Sequence, residues 1–523
     1  MTIVRLTPTK EKLVPRISHA VSSKARSRTQ IYALVPIYLL QFCYGMNTGF
    51  PAILTPQLRE PCSEFMITEN QESWIVSLDN VATPLICLCS GILQQRYGPK
   101  YILVSACVPY LLGWIMVVMA TNVECLYISR VLVGISHALI TTTVYTVEIT
   151  SREMRGTLSL WESVVRCAGC LLIYCMGFFL RWNRIALIAP VIPLMALISC
   201  FYIPESPVYL VRQRRFSRAS QSLKQLFGSK YNVTEEIELI NSNLDHESGQ
   251  HNVFEVLKSV PNHPEIYKPF GIVLLLSAIQ QFSGMSILRA YVVKIFDSVF
   301  HETSMPEFNH ENVQCDQSQT SKEAYISAIV IGLVRLLSSL LLSNFLKVYP
   351  RRSLYLTSIT LSVISLVSLA SVQLCLQKNS DCQPLQWLVL VFACGLVFSV
   401  QLGVQTLPML LSGELFSSDI RALGKSMIRS LTCVFLVISL KTYPALQGTL
   451  DIYGTFFLFS IVLAGSAPLI YWLLPETKDL SLETIQHYFQ PAKTQFYVDL
   501  HHTTNKSTPV PPSYNYEMSN AGL

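Results

Sequence analysis

Stretches of about twenty mainly apolar residues recur along this chain, and few folds can absorb them. In lipid the backbone N–H and C=O groups find no water, so each crossing segment satisfies its own hydrogen bonds as a helix of about 20 residues. Twelve such segments are predicted. Six cover 31–55, 73–95, 101–120, 125–148, 157–180 and 185–204, and six more cover 270–296, 323–346, 353–376, 385–413, 422–446 and 453–474. With 51% of 523 residues hydrophobic and only 14% charged, a soluble globule is a poor alternative. The expected fold is an all-α membrane protein of twelve transmembrane helices in two pseudo-symmetric six-helix bundles.

The division into halves rests on internal repetition. Glu148 is followed seven residues later by Arg155, and Glu414 seven residues later by Arg421, each pair at the polar end of an apolar segment. Pro204-Glu205-Ser206 closes the first set of segments as Pro475-Glu476-Thr477 closes the second. Repeats of this kind are a signature of carriers built from two related bundles around a midplane site. The implied organisation is an N-terminal tail (1–30), a first bundle (31–204), a polar linker (205–269), a second bundle (270–474) and a C-terminal tail (475–523).

Lysine and arginine placement sets the orientation, because basic loops stay cytoplasmic. The N-terminal tail carries Arg5, Lys10, Lys12, Arg16, Lys24, Arg26 and Arg28, and the loops at Arg96 to Lys100, Arg152 to Arg155, Arg212 to Arg218 and Arg351 to Arg352 agree with it. Both termini are therefore expected in the cytoplasm, with Arg181 and Arg184 as exceptions on the outer side. The first apolar run is long enough to span and lies behind about thirty polar residues, so no cleavable signal peptide is read. A net charge of +6 fits cytoplasmic loops in contact with anionic lipid heads rather than a nucleic-acid surface.

Most of the fifteen cysteines lie inside apolar segments, where a thiol is a small buried hydrophobe. Cys167 and Cys170 form a C-x-x-C without the further Cys or His of a metal site. Cys375 and Cys382 flank an outward loop and are candidates for a disulfide. In the linker, Ser222-Leu-Lys-Gln-Leu-Phe and Glu235-Glu-Ile-Glu-Leu-Ile read as short amphipathic helices. The tail after Phe489 is polar, aperiodic and expected to be disordered. Within it, Pro511, Pro512 and Tyr514 form a segment suited to the aromatic groove of a WW domain. Asn232-Val-Thr and Asn505-Lys-Ser match the glycosylation pattern but are expected on the cytoplasmic side, hence unused.

Several motifs together resemble one family. Arg130-Val-Leu-Val-Gly134, Tyr145-Thr-Val-Glu148 and Arg155-Gly156 are similar to the fourth-helix signature of the sugar porters of the major facilitator superfamily. Pro204-Glu205-Ser206-Pro207-Val208-Tyr209-Leu210 matches their sixth-helix exit, Gln280-Gln281-Phe-Ser283-Gly284 their seventh-helix sugar-contact motif, and Pro475-Glu476-Thr477-Lys478 their twelfth-helix end. Within that family, Gly45-Met-Asn-Thr-Gly49-Phe-Pro-Ala, Ser73-Trp74, Thr406-Leu-Pro408 with Gly413-Glu414, and Lys441-Thr-Tyr-Pro444 resemble the insect facilitated trehalose transporters. The resemblance implies sugar transport across the plasma membrane, with no cofactor.

Two bundles that rock about a central site need latches at their ends. Arg96, Glu148, Arg155, Glu205, Arg351, Arg352, Glu414 and Arg421 are the candidate gating residues, expected to hold the bundles together while the site faces outward. Topology alone would supply the basic residues but not acids at repeated spacing. The copies are imperfect, with Gln95, Pro99, Lys347 and Pro350 at positions where the family carries other residues.

A sugar calls for amide and hydroxyl groups that both donate and accept. The resemblance places Gln280, Gln281, Ser286, Ser163, Arg335 and Thr406 at the substrate site, although Ser286, Ser163 and Arg335 replace the amides of the family pattern. Arg166, Arg289, Arg335 and Arg429 fall inside predicted spans, where each arginine costs about 2.5–3.5 kcal/mol on insertion scales. They are either paired with the intramembrane acids Asp79, Glu162 and Asp297, leaving a site for a neutral sugar, or they create a positive field for an anionic solute.

The first helix holds no Asp or Glu, where the resemblance implies a titratable carboxylate in proton-coupled members, so facilitated diffusion is favoured over proton symport, with Asp79 as the remaining candidate proton carrier. No phosphate loop, H-E-x-x-H helix or G-x-S-x-G elbow points to an enzyme. A transporter-like sensor without net flux stays open as an alternative.

Overall fold

The computed structural model describes residues 20–60, 65–141, 144–150, 152–228, 232–248, 264–301, 320–378, 385–416 and 421–478, with 480, 484, 488 and 489. Pro511, Pro512 and Tyr514 lie outside the described residues, as does Cys382, the expected partner of Cys375. So do the side chains of Arg155 and Arg421.

Every described element is helical or a connection between helices. The first half comprises α1 (Ala20–Arg59), α2 (Glu69–Val81), α3 (Thr83–Tyr97), α4 (Pro99–Val118), α5 (Val123–Thr141), α6 (Tyr145–Ile149), α7 (Arg152–Phe179), α8 (Trp182–Ile188) and α9 (Val191–Tyr202). Three helices, α10 (Pro207–Arg212), α11 (Phe216–Phe227) and α12 (Val233–Ser248), bridge to the second half. That half comprises α13 (Pro264–Gln281), α14 (Met285–Ala290), α15 (Val292–His301), α16 (Lys322–Val348), α17 (Arg351–Lys378), α18 (Gln386–Leu402), α19 (Leu407–Leu415) and α20 (Arg421–Leu473). Among the described residues, nine helical stretches are long and apolar enough to cross a membrane. The last of these holds two predicted segments, separated where Asp451 takes φ 58°.

Two boundaries differ from the sequence reading. α1 starts at Ala20, inside the stretch read as tail, because the helix continues past its apolar run through about three polar turns that need no desolvation. α13 likewise starts at Pro264, within the stretch read as linker, with proline at the first turn where its missing N–H costs nothing.

The seventh and tenth predicted segments are broken rather than continuous. Between α13 and α14 the chain turns through Gly284, whose φ of 79° is a left-handed conformation that a side chain strongly disfavours. Between α18 and α19 it unwinds at Gly403 to Thr406, and Pro408 then opens α19. Breaks free backbone groups, and these must find partners. The Gln280 amide answers one of them by donating to the Gln405 carbonyl at 3.0 Å, so the two broken helices meet.

One apolar core runs through both halves from Met46 to Phe489, and a second lies within the first half around Leu34, Leu103 and Tyr110. Large apolar side chains such as Leu85, Ile92, Phe179 and Trp472 point outward, as lipid-facing positions do.

Candidate functional site

At the end where α1 begins and α20 finishes, each half ties its own helices with a matching device. Glu205 accepts from the amides of Lys100 (3.2 Å) and Ser206 (3.0 Å) and so caps α4. Glu476 accepts from the amides of Arg351 (2.8 Å) and Arg352 (3.1 Å) and so caps α17. Helix N-termini present such unsatisfied N–H groups and attract carboxylates. The second layer repeats too: Ser206 Oγ donates to Glu148, and Thr477 Oγ1 donates to Glu414 at 2.6 Å. Arg351 Nε lies 3.5 Å from Glu414, and Arg352 donates to the Tyr471 carbonyl. Arg96 is exposed, with its guanidinium over Tyr97, and its carbonyl accepts from Tyr209 at 3.1 Å. These contacts of the candidate gating residues lie within one half.

The two glutamates differ electrostatically. Burial pushes the Glu205 carboxyl up, against the opposing pull of the Ser206 and Lys100 amides and the Lys100 charge. At Glu476 burial acts the same way, but the amides of Lys478, Arg351, Arg352 and Thr477 outweigh it and hold the carboxyl below its ordinary 4.5. Glu476 therefore stabilises the fold fully above that ordinary value and loses its contribution as the pH falls through the lower folded-state value. Replacing it with glutamine is expected to cost about 1–2 kcal/mol, the scale of a lost helix cap, read as a lower melting temperature at pH 7 that converges on wild type in acid.

At the opposite end several polar contacts cross between halves. Lys294 Nζ of α15 donates to Glu72 Oε2 of α2 at 2.9 Å, and Arg59 NH1 lies 3.4 Å from the same oxygen. Lys441 Nζ of α20 donates to Asn70 Oδ1 and Ser73 Oγ, both at 2.7 Å, and sits 4.1 Å from the Trp74 ring. Gln57 donates to the Tyr325 hydroxyl at 3.1 Å. The end remote from the termini is thus closed in this structure.

Between the two ends lies a polar centre. Tyr44 of α1 receives a hydrogen bond from Arg429 Nη2 at 3.1 Å, Arg166 stands 5.3 Å from its ring, and the His137 ring lies 4.2 Å away. Asp79 is 3.8 Å from His137 Nδ1, accepts from Asn80 at 2.6 Å, and interacts electrostatically with Arg130 and Arg289. A small void of about 20 Å³ is lined by Tyr44, Thr48, Asp79, Asn80 and Arg289, among others. That is room for about one water, so the centre is contracted in this state.

None of the six substrate residues expected from sequence, Gln280, Gln281, Ser286, Ser163, Arg335 and Thr406, lines this void. Gln281 Oε1 accepts from Ser286 at 3.0 Å, and the Gln281 carbonyl accepts from Ser439 at 3.0 Å. Ser163 accepts from Ser339 at 3.4 Å across the halves. Thr406 donates to the Gln401 carbonyl at 3.2 Å and serves the helix break. Arg335 is buried and interacts electrostatically with Tyr44 and Tyr174. Of the acids expected to pair the arginines, Asp297 accepts from the Ser321 amide at 2.8 Å at the start of α16. Glu162 accepts from Thr146 (2.7 Å) and Gln41 (3.3 Å).

The sequence reading did not single out Glu72, Lys294, Gln57, Tyr44 or His137. Arg130 and His137, seven residues apart on α5, share a helix face and gave a usable signal. Ser73, Trp74 and Lys441, which carry the narrower resemblance, touch one another across the halves.

The family described as sugar (and other) transporter matches residues 33–489. The chain belongs to this family. It is a multi-pass membrane carrier, not an enzyme. It is 26% identical over 479 residues to a facilitated trehalose transporter, Tret1, of Apis mellifera ligustica, covering 89% of each chain. The corresponding Bombyx mori protein is 25% identical, covering 88% of this chain and 86% of that one. The fold is similar to that of the xylose transporter XylE from E. coli in a partially occluded inward open conformation. That match has a TM-score of 0.70 at 16% identity and covers 87% of this chain and all of XylE. The described residues of this sugar transporter chain therefore share that helical fold.

Proposed function

We propose that this sugar transporter moves a sugar by facilitated diffusion through alternating access, with both termini in the cytoplasm and the Glu72 end facing outward at the plasma membrane. The observation that carries this reading is the asymmetry of the polar contacts. Among the contacts of the described residues given above, those of Lys294, Lys441 and Gln57 at the Glu72 end join the halves, whereas those at the terminal end tie each half internally. Two internally braced bodies hinged over a polar centre can rock. When they rock, Arg96, Glu148, Arg155, Glu205, Arg351, Arg352, Glu414 and Arg421 are brought toward the facing half and latch the cytoplasmic end. Gln280, Gln281, Ser286, Ser163, Arg335 and Thr406 then border the opened centre. Trehalose and hexoses are the first solutes to test, by likeness to relatives of that name.

Uptake by the purified protein in liposomes, with counterflow, tests the proposal. Unlabelled solute on the far side is expected to speed tracer exchange, and an imposed pH gradient is expected not to concentrate the solute. Absence of saturable flux across a sugar panel would favour a sensor instead.

A further inference from the structure

Resting on the carrier reading above, we propose that the preferred solute is an anionic sugar, a polyol carrying a carboxylate or phosphate oxyanion held by Arg289, Arg335 and Arg429. Five arginines, Arg130, Arg166, Arg289, Arg335 and Arg429, gather in the centre from α5, α7, α14, α16 and α20. Two carboxylates accompany them among the described residues, and both are engaged. Asp79 is taken up by Asn80, His137, Arg130 and Arg289, and Glu162 by Thr146, Gln41 and the charge of Arg166. The arginines outnumber the carboxylates by three, and Arg335 and Arg429 are left without an acid.

The arginines also keep donors in reserve. The Nε atoms of Arg166, Arg289, Arg335 and Arg429 are buried without a hydrogen-bond partner, and Arg335 as a whole is 7% exposed. Arg289 and Arg335 repel each other, and both act on Tyr44, the residue to which Arg429 donates. A cluster of like charges with unspent donors is a costly arrangement for a site whose cargo is neutral. An oxyanion removes the cost, because the planar guanidinium fork matches carboxylate and phosphate oxygens in pairs. The hydroxyl-bearing part of the solute finds its partners in the amides and hydroxyls of Gln281, Ser286 and Ser163, which supply both donors and acceptors.

The test compares glucuronate, gluconate and glucose 6-phosphate with glucose, trehalose and inorganic phosphate, by thermal shift on the purified full-length protein and by liposome uptake. At least one acidic sugar is expected to raise the melting temperature and to compete at concentrations about tenfold or more below those of glucose. The carboxylates and the phosphate ester distinguish the two oxyanions. Arg335→Gln and, independently, Arg429→Gln are expected to lose that advantage. Without any variant, an inside-negative potential is expected to slow uptake of the anion and leave neutral sugars untouched. The proposal is overturned if neutral sugars are carried while acidic sugars neither stabilise nor compete. It is also overturned if inorganic phosphate matches glucose 6-phosphate, which would mean an adventitious ion only. Binding of an acidic sugar without flux of any solute would instead remove the carrier reading and keep the anion site.

Discussion

Glu72→Ala is expected to open the end of the molecule remote from the termini. The Glu72 side chain is fully buried, and one of its oxygens meets Lys294 of the second half at 2.9 Å and Arg59 of the first at 3.4 Å. Removing the carboxylate breaks a buried pair and leaves two cations facing each other across the seam. Breaking such a pair costs about 3–5 kcal/mol, which amounts to a hundredfold or more in the balance between closed and open forms. Spin labels placed on α2 and α15 at that end should report longer distances, and tracer exchange should fall because the carrier resists closing outward. Lys294→Ala is expected to do less, since Arg59 still neutralises Glu72. Unchanged distances in Glu72→Ala would assign the closure to Lys441 and Gln57 instead.

Why this latch escaped the sequence reading is physical. Glu72 stands one residue outside the segment read as 73–95, where a carboxylate passes for an ordinary loop acid. Its burial depends on Lys294, more than two hundred residues away. Lys294 itself lies inside a stretch read as continuous helix, and only the break at Gly284 and the turn at Tyr291 set its direction. Local features were legible in sequence: apolar runs marked the helices, and the repeated acids and Pro-Glu motifs marked the two halves, although they did not reveal that Glu205 and Glu476 cap α4 and α17. Relations between halves were not, because nothing in periodicity says which side chains meet across a seam. Tyr44 shows the limit best. It is one of 24 tyrosines, and only the convergence of four helices carrying Arg166, Arg289, Arg335 and Arg429 makes it a centre.

The second large effect is expected within the first half, at Gly45→Ala. α1 and α7 cross so closely that a methyl on Gly45 would stand 1.9 Å from the Arg166 carbonyl oxygen. Across the same crossing, one on Gly169 would stand 2.1 Å from the Phe42 carbonyl. Both obstacles are backbone, so no rotamer change relieves them and the helices must separate. Overpacking costs about 1–3 kcal/mol and occasionally more, and here the upper end applies because the obstacle at 1.9 Å is backbone. Separation also displaces Tyr44 and Arg166, the neighbours of the two contact points, so the centre is disturbed along with stability. Gly45→Ala is expected to lose most folded yield and uptake together, measured by monodisperse protein recovered and by initial rate per folded molecule. Gly91→Ala is the matched control, since its added methyl meets nothing within 4 Å and alanine favours a helix by about 1 kcal/mol. Equal behaviour of the two variants would mean that α1 and α7 slide past each other during transport, and the first half would then not move as one braced body.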